Sequence, residues 1–238
     1  MSATTYRILM QGFPGRSERG FLGWSTIVLF HTADGPALLD TGGAGDRPGL
    51  MAALTREGLV PGDIRTLYLS HLHFDHVGNV ECFPQARVVL HEDEVAYFHG
   101  SGQSDPAMPL FLAQTLLAQP RLEIVTGEPE LAEGLRLIRT PGHSGGHASL
   151  VLDSAEGCIV FAQDALKNRT ETGGGPVPGA VDGVAAEKSA ARICAMADLI
   201  VPGHDVCLRR SGTGFLPLAP QSQTLTITLD GRTHVLEA

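Results

Sequence analysis

The chain has 238 residues, 43% hydrophobic and 18% charged, with 26 acidic against 17 basic side chains for a net charge of −9. This length and composition describe one ordinary globular domain, taken as 1–238, with enough apolar material for a substantial core. The acidic balance counts against a surface built to neutralise a long polyanion, so the expected partner is a small-molecule substrate rather than nucleic acid.

The N-terminal stretch from Met1 to Arg7 has no basic region leading into an apolar core. No run approaches the roughly 18 to 20 apolar residues that a membrane span needs. Cys82, Cys158, Cys194 and Cys207 are scattered without a C-x-x-C spacing, which suits reduced thiols. These features predict a soluble cytoplasmic protein, neither exported nor membrane-bound.

Taken in chain order, candidate strands cover 5–11, 25–32 and 36–40, the last running into Asp40-Thr41-Gly42-Gly43. Between the first two, residues 12–25 mix glycines with Phe13, Phe21 and Trp24, which suits either a mobile flap or a loop whose aromatics tuck into the core. A helix is expected over 48–58 and a short buried strand over 66–70. Another strand follows at 87–91 and another helix at 92–99. Residues 100–120, with Met108, Leu110, Phe111, Leu112, Leu116 and Leu117, read as an inserted amphipathic helix. It either covers the site or a partner subunit, as in a homodimer, or simply packs into the core. The second half offers strands near 122–126, 135–139, 147–153 and 158–162, a helix near 183–197 and a strand at 198–201. The run Gly173-Gly174-Gly175-Pro176, within 169–180, lacks the context of a phosphate loop and reads as a flexible lid. Strands followed by a helix, twice over, predict an α/β fold: a four-layer αβ/βα sandwich of two mixed sheets with outer helices.

Where the strand at 66–70 ends, the chain reads His71-Leu72-His73-Phe74-Asp75-His76. Three imidazoles and a carboxylate within six residues point to metal. In extended backbone His71 and His73 face one ion, while Asp75 and His76 turn toward a second. Three further candidates each follow an apolar run: His143 after Thr140-Pro141-Gly142, Asp164 after Cys158 to Ala162, and His204 after Val201-Pro202-Gly203. Pro-Gly pairs set tight turns that aim the next side chain inward. Each of the three alone would be a plain turn or loop residue; beside the cluster they complete a ligand set. His147 begins a strand and is left out, and His31, His91, His99 and His234 read as surface or satisfied core residues.

Together these motifs resemble the metallo-β-lactamase-fold hydrolase superfamily, from Leu39-Asp40-Thr41-Gly42 through H-x-H-x-D-H to the later His, Asp and His, over about residues 5–208. The resemblance implies that His71, His73 and His143 hold one metal ion, that Asp75, His76 and His204 hold a second, and that Asp164 bridges both. It also puts Asp40 behind the ligands, orienting them. Two divalent cations are implied, zinc by default, with iron, manganese or cobalt also suited to imidazole and carboxylate donors. The commonest true β-lactamases place Cys where this chain has Asp164, and flavodiiron proteins place Glu at His73. The cluster with its Phe74 is similar to that of acyl-homoserine lactonases, which carry Tyr at the position of Lys167. Gln11-Gly12, Leu39 to Gly43 and Val201 to His204 are similar to hydrolases grouped with metallo-β-lactamase domain-containing protein 1, whose chemistry includes nuclease activity.

The implied chemistry is hydrolysis of a small carboxylic ester, lactone or thioester by a hydroxide held between two ions about 3.5 to 4 Å apart. Asp75 would orient the nucleophile and pass a proton to the leaving group. Lys167 would stabilise the tetrahedral intermediate or bind a substrate carboxylate, unless it is an exposed lysine without a role. The alternatives are a phosphodiesterase or nuclease on the same metal core, and a non-catalytic metal-binding protein.

Overall fold

Alternation of side chains along each strand decides the architecture, because the central strands are apolar on both faces and must be covered twice. The computed structural model describes residues 4–18 and 20–237, so the reading of Met1, Ser2 and Ala3, and Arg19 of the 12–25 loop, lie outside the described residues. The first half contains β1 (Thr5–Met10), β2 (Arg16–Ser17), β3 (Gly20–Phe21), β4 (Ile27–Thr32), β5 (Gly35–Leu39), α1 (Arg47–Arg56), β6 (Thr66–Tyr68), α2 (Phe74–Val77), β7 (Arg87–His91), α3 (Glu92–His99), α4 (Leu110–Leu117) and β8 (Leu122–Val125). The second contains β9 (Glu130–Ala132), β10 (Leu135–Arg139), β11 (Ala148–Ser154), β12 (Gly157–Gln163), α5 (Gly183–Met196), β13 (Leu199–Pro202), β14 (Leu208–Ser211), β15 (Gly214–Pro217), β16 (Thr224–Leu229) and β17 (Arg232–Glu237).

One sheet has the order β1-β4-β5-β6-β7-β8 and the other β15-β14-β13-β12-β11-β10-β9. In β4, Val28 and Phe30 point toward the second sheet, while Ile27 and Leu29 join Leu50 and Leu54 of α1 on the other side. In β12, Ile159 and Phe161 meet the first sheet, and Val160 and Ala162 pack with Ile193 of α5. Helix, sheet, sheet and helix thus stack in four layers, as the sequence predicts. At the centre Phe30 meets Phe161 edge-on, with ring centroids 4.8 Å apart, and Tyr68 at 6.4 Å.

Several elements differ from expectation. The strand expected over 66–70 stops at Tyr68 because the chain crosses to the other sheet, where the Ser70 carbonyl accepts the Ala148 N–H at 2.9 Å. The cluster is extended only as far as His73, whose carbonyl then accepts the N–H groups of His76 and Val77 to start the single turn α2. In the 100–120 insertion, Met108, Ala113 and Leu116 enter the core whereas Phe111 is 90% exposed. Four strands after residue 207 escape the sequence reading, although Asp230-Gly231 is a clear two-residue hairpin signal with both φ angles positive, 50° and 72°. Among the described residues no helix is long and apolar enough to cross a membrane.

Because Phe30 is fully buried and meets Phe161 of the other sheet edge-on, Phe30→Ala is predicted to lower stability by about 3 to 5 kcal/mol. Urea unfolding would measure it, and a loss under about 1 kcal/mol would show that the intersheet layer repacks freely.

Candidate metal centre

Every candidate ligand leaves the end of a strand or the turn just beyond it, and all reach the same edge of the sandwich. His71 and His73 follow β6, Asp75 and His76 sit on α2, His143 follows β10, Asp164 follows β12 and His204 follows β13. All seven are buried. Their donor atoms fall into three overlapping groups: His71 with His73 and His143, His71 with His76 and Asp164, and Asp75 with His76 and His204. Asp164 lies between them, with Oδ2 3.1 Å from His143 Nε2 and Oδ1 3.1 Å from His204 Nε2 and 3.3 Å from His76 Nε2. Asp75 Oδ2 is 3.5 Å from His204 Nε2.

These residues pass a physical test for metal. His71 Nε2, His76 Nε2, His204 Nε2 and Asp164 Oδ1 are buried without a hydrogen bond, although they crowd one another. Buried polar atoms are normally satisfied, so such a convergence of unmatched donors suits cations placed among them. The opposite ring nitrogens are held instead. Ser70 Oγ lies 2.9 Å from His71 Nδ1, Asp105 Oδ2 2.8 Å from His73 Nε2, Asp40 Oδ2 2.7 Å from His76 Nδ1, and the Trp24 carbonyl 2.9 Å from His204 Nδ1. Each contact fixes which nitrogen faces inward.

Asp40 also accepts the Ser70 N–H and hydroxyl, and it does so from the left-handed backbone region at φ 58°. His147 stands outside all three groups and serves the loop instead, its Nε2 accepting the Asp164 N–H at 3.2 Å. Burial pushes its pKa down to about 3, which keeps that nitrogen available as an acceptor. Lys167 reaches the wall of the adjoining cleft, where its ammonium pairs with Glu171. In the 12–25 loop the two readings divide: Phe13 and Trp24 stack at 4.9 Å, whereas Phe21 stands edge-on to His204 at 5.0 Å.

Two supporting acids escape the sequence reading. Glu94 of α3 is buried, and its carboxylate accepts the Leu72 N–H, the Ser144 hydroxyl and the Gly146 N–H, tying the His71 loop to the His143 loop. In the sequence it is one acid among Glu92-Asp93-Glu94, with nothing to set it apart. Asp105 receives His73, the Tyr97 hydroxyl and the Ala107 N–H. Burial opposes its ionisation, yet His73 and the Ala107 N–H hold its carboxyl well below the usual range. Its only sequence signal is the turn chemistry of Asp105-Pro106. Glycine is required where loops touch: a Cβ at Gly146 would lie 1.9 Å from Glu94 N, and one at Gly203 2.2 Å from Asp164 Oδ1.

The metallo-beta-lactamase superfamily profile matches residues 19–227. The chain is 30% identical to metallo-beta-lactamase domain-containing protein 1 of Mus musculus over 217 residues, covering 87% of this chain and 75% of that one. It is 28% identical to an N-acyl homoserine lactonase of Bacillus thuringiensis over 162 residues, 58% of this chain and 62% of that one. A solved dizinc quorum-quenching lactonase superposes with a TM-score of 0.64 at 20% identity, covering 85% of this chain and 82% of that one.

Asp105→Asn, which weakens the hold on His73, should lower metal affinity roughly tenfold to a hundredfold while the fold persists. Chelator competition read alongside circular dichroism would detect this, and unchanged affinity would reduce Asp105 to loop structure. Burial works against charge on His76 and His204, but Asp164 and Asp75, with Asp40 at His76, raise both above the ordinary imidazole value in the metal-free protein. Cations must displace those protons, so affinity should fall as the pH drops below neutrality. Equal affinity at pH 6 and pH 8 would contradict that linkage.

Proposed function

The chain belongs to the metallo-β-lactamase superfamily and is a metal-binding hydrolase, and from that premise we propose a dinuclear enzyme that cleaves a small carboxylic ester, lactone or thioester. The observation that carries this reading is Asp164, one carboxylate whose two oxygens address His143 on one side and His76 and His204 on the other. That arrangement suits a ligand shared between two positions. His71, His73 and His143 would hold one ion, and Asp75, His76 and His204 the other. Imidazole nitrogen and carboxylate oxygen without thiolate suit zinc, and also iron, manganese or cobalt. When bound, two such ions would lower the pKa of water toward neutrality and polarise a carbonyl oxygen.

The remaining chemistry falls to the chain. Asp75 accepts the proton released as water oxygen bonds to the carbonyl carbon, and returns it to the leaving oxygen or sulfur as that bond breaks. Phe21, Phe74, Pro14 and Pro178 give the cleft of about 420 Å³ apolar walls, which exclude water and receive an acyl group. The volume suits a small molecule, and a net charge of −9 disfavours long polyanions. The similarity to a lactonase over part of the chain supports carbonyl chemistry.

Protein purified without added metal is predicted to carry about two equivalents. It should turn over p-nitrophenyl acetate, a γ-lactone or an acyl thioester in preference to bis-p-nitrophenyl phosphate, and Asp164→Ala should abolish turnover and reduce metal content. Activity confined to the phosphodiester would replace this reading with phosphoryl chemistry.

A further inference from the structure

Lys167 stands three residues beyond Asp164, on the wall of the same cleft as Arg16, and its surroundings are set by Glu171. The carboxylate of Glu171 folds back from the 3-10 turn Arg169–Gly173. Its Oε2 accepts the Lys167 backbone N–H at 2.6 Å, and its Oε1 lies 2.9 Å from the Lys167 ammonium. Their side chains are 14% and 3% exposed, and the ammonium nitrogen is itself buried with no further hydrogen bond. A buried ammonium is costly unless paired, so the fold gains by holding these two groups together. A substrate anion reaching for Lys167 would have to displace a carboxylate tethered four residues away in the same chain. Tethering gives that internal rival a high effective concentration.

We propose that Glu171 sets the charge preference of the cleft: by neutralising Lys167 it favours uncharged acyl substrates over those carrying a carboxylate near the reacting carbonyl. The turnover part of this rests on the carbonyl-hydrolase reading above, and the binding part does not. Arg16 lies on the flap strand β2, on the cleft wall, and is not part of the pair. Glu171→Gln is a conservative probe, because its amide oxygen can still accept the Lys167 N–H while the charge is lost. The structural role is thereby separated from the electrostatic one.

The test uses the metal-loaded protein as wild type, Glu171→Gln, Lys167→Met and the double variant. The first readout is the ratio of kcat/KM for mono-p-nitrophenyl succinate to that for p-nitrophenyl acetate. Glu171→Gln should raise this ratio roughly fivefold to tenfold, the size of one partly screened charge pair. Lys167→Met, which leaves the acid unpaired, should lower it, and the double variant should return it near the wild-type value. A ratio unmoved by Glu171→Gln, or raised equally without Lys167, would overturn the proposal. The second readout needs no turnover: calorimetric titration with methanesulfonate against uncharged dimethyl sulfone should show tighter anion binding only in Glu171→Gln. If neither ester is hydrolysed, the functional reading fails, and the titration alone decides the role of Glu171. Should Glu171→Gln not fold, the opposite shift expected of Lys167→Met decides it.

Discussion

Seven buried donors cannot share one small volume unless something other than their mutual contacts holds them there. Imidazole and carboxylate lone pairs repel when they converge, and burial removes the water that would otherwise separate them. Around this centre the fold works as a set of braces. Asp40 arrives from the end of β5, Ser70 from the end of β6, Asp105 from the insertion before α4, and the Trp24 carbonyl from the base of the flap. These braces all come from the first half of the chain, while His143, Asp164 and His204 follow strands of the second sheet, so the site exists only once both sheets are packed. Segments that look like dispensable loops therefore belong to the metal centre.

Most of the candidate ligands were readable in the sequence because their spacing is local or announced by a turn. His71 to His76 lie side by side in the chain, and the Pro-Gly pairs before His143 and His204 mark sharp bends. The four layers were readable too, since apolar runs such as Ile27 to Phe30 and Ile159 to Ala162 need cover on both faces. What escaped depends on contacts far apart in sequence. Glu94 meets Ser144 and Gly146 across fifty residues or more, and no periodicity reports such a meeting. Glu171 was missed for the opposite reason: its partner is four residues away, but an acid beside Lys167, Arg169 and other polar residues looks like ordinary solvated surface. Of the strands after residue 207, β14 and β15 are four residues each and partly exposed, which leaves a weak signal, whereas Thr224 to Leu229 alternates polar and apolar residues at every step and was legible as a strand.

Glu94 also explains how the two halves stay in register. It rises from a helix covering the first sheet, yet two of its three partners belong to the turn after β10. Burial pushes its carboxyl pKa up, and the Ser144, Leu72 and Gly146 donors compensate. One side chain thus aligns the loop carrying His71 and His73 with the loop carrying His143.

The close approaches at Gly146 and Gly203 divide the molecule into regions of unequal evolvability. Neither position can gain even a methyl group without collision, against the Glu94 backbone in one case and Asp164 in the other. The lip of the cleft is under no such restriction, for Phe21 and Phe74 are partly solvent-facing and replaceable by side chains of other sizes. Replacements at the lip can therefore reshape the mouth of the cleft while leaving the cage of candidate ligands untouched.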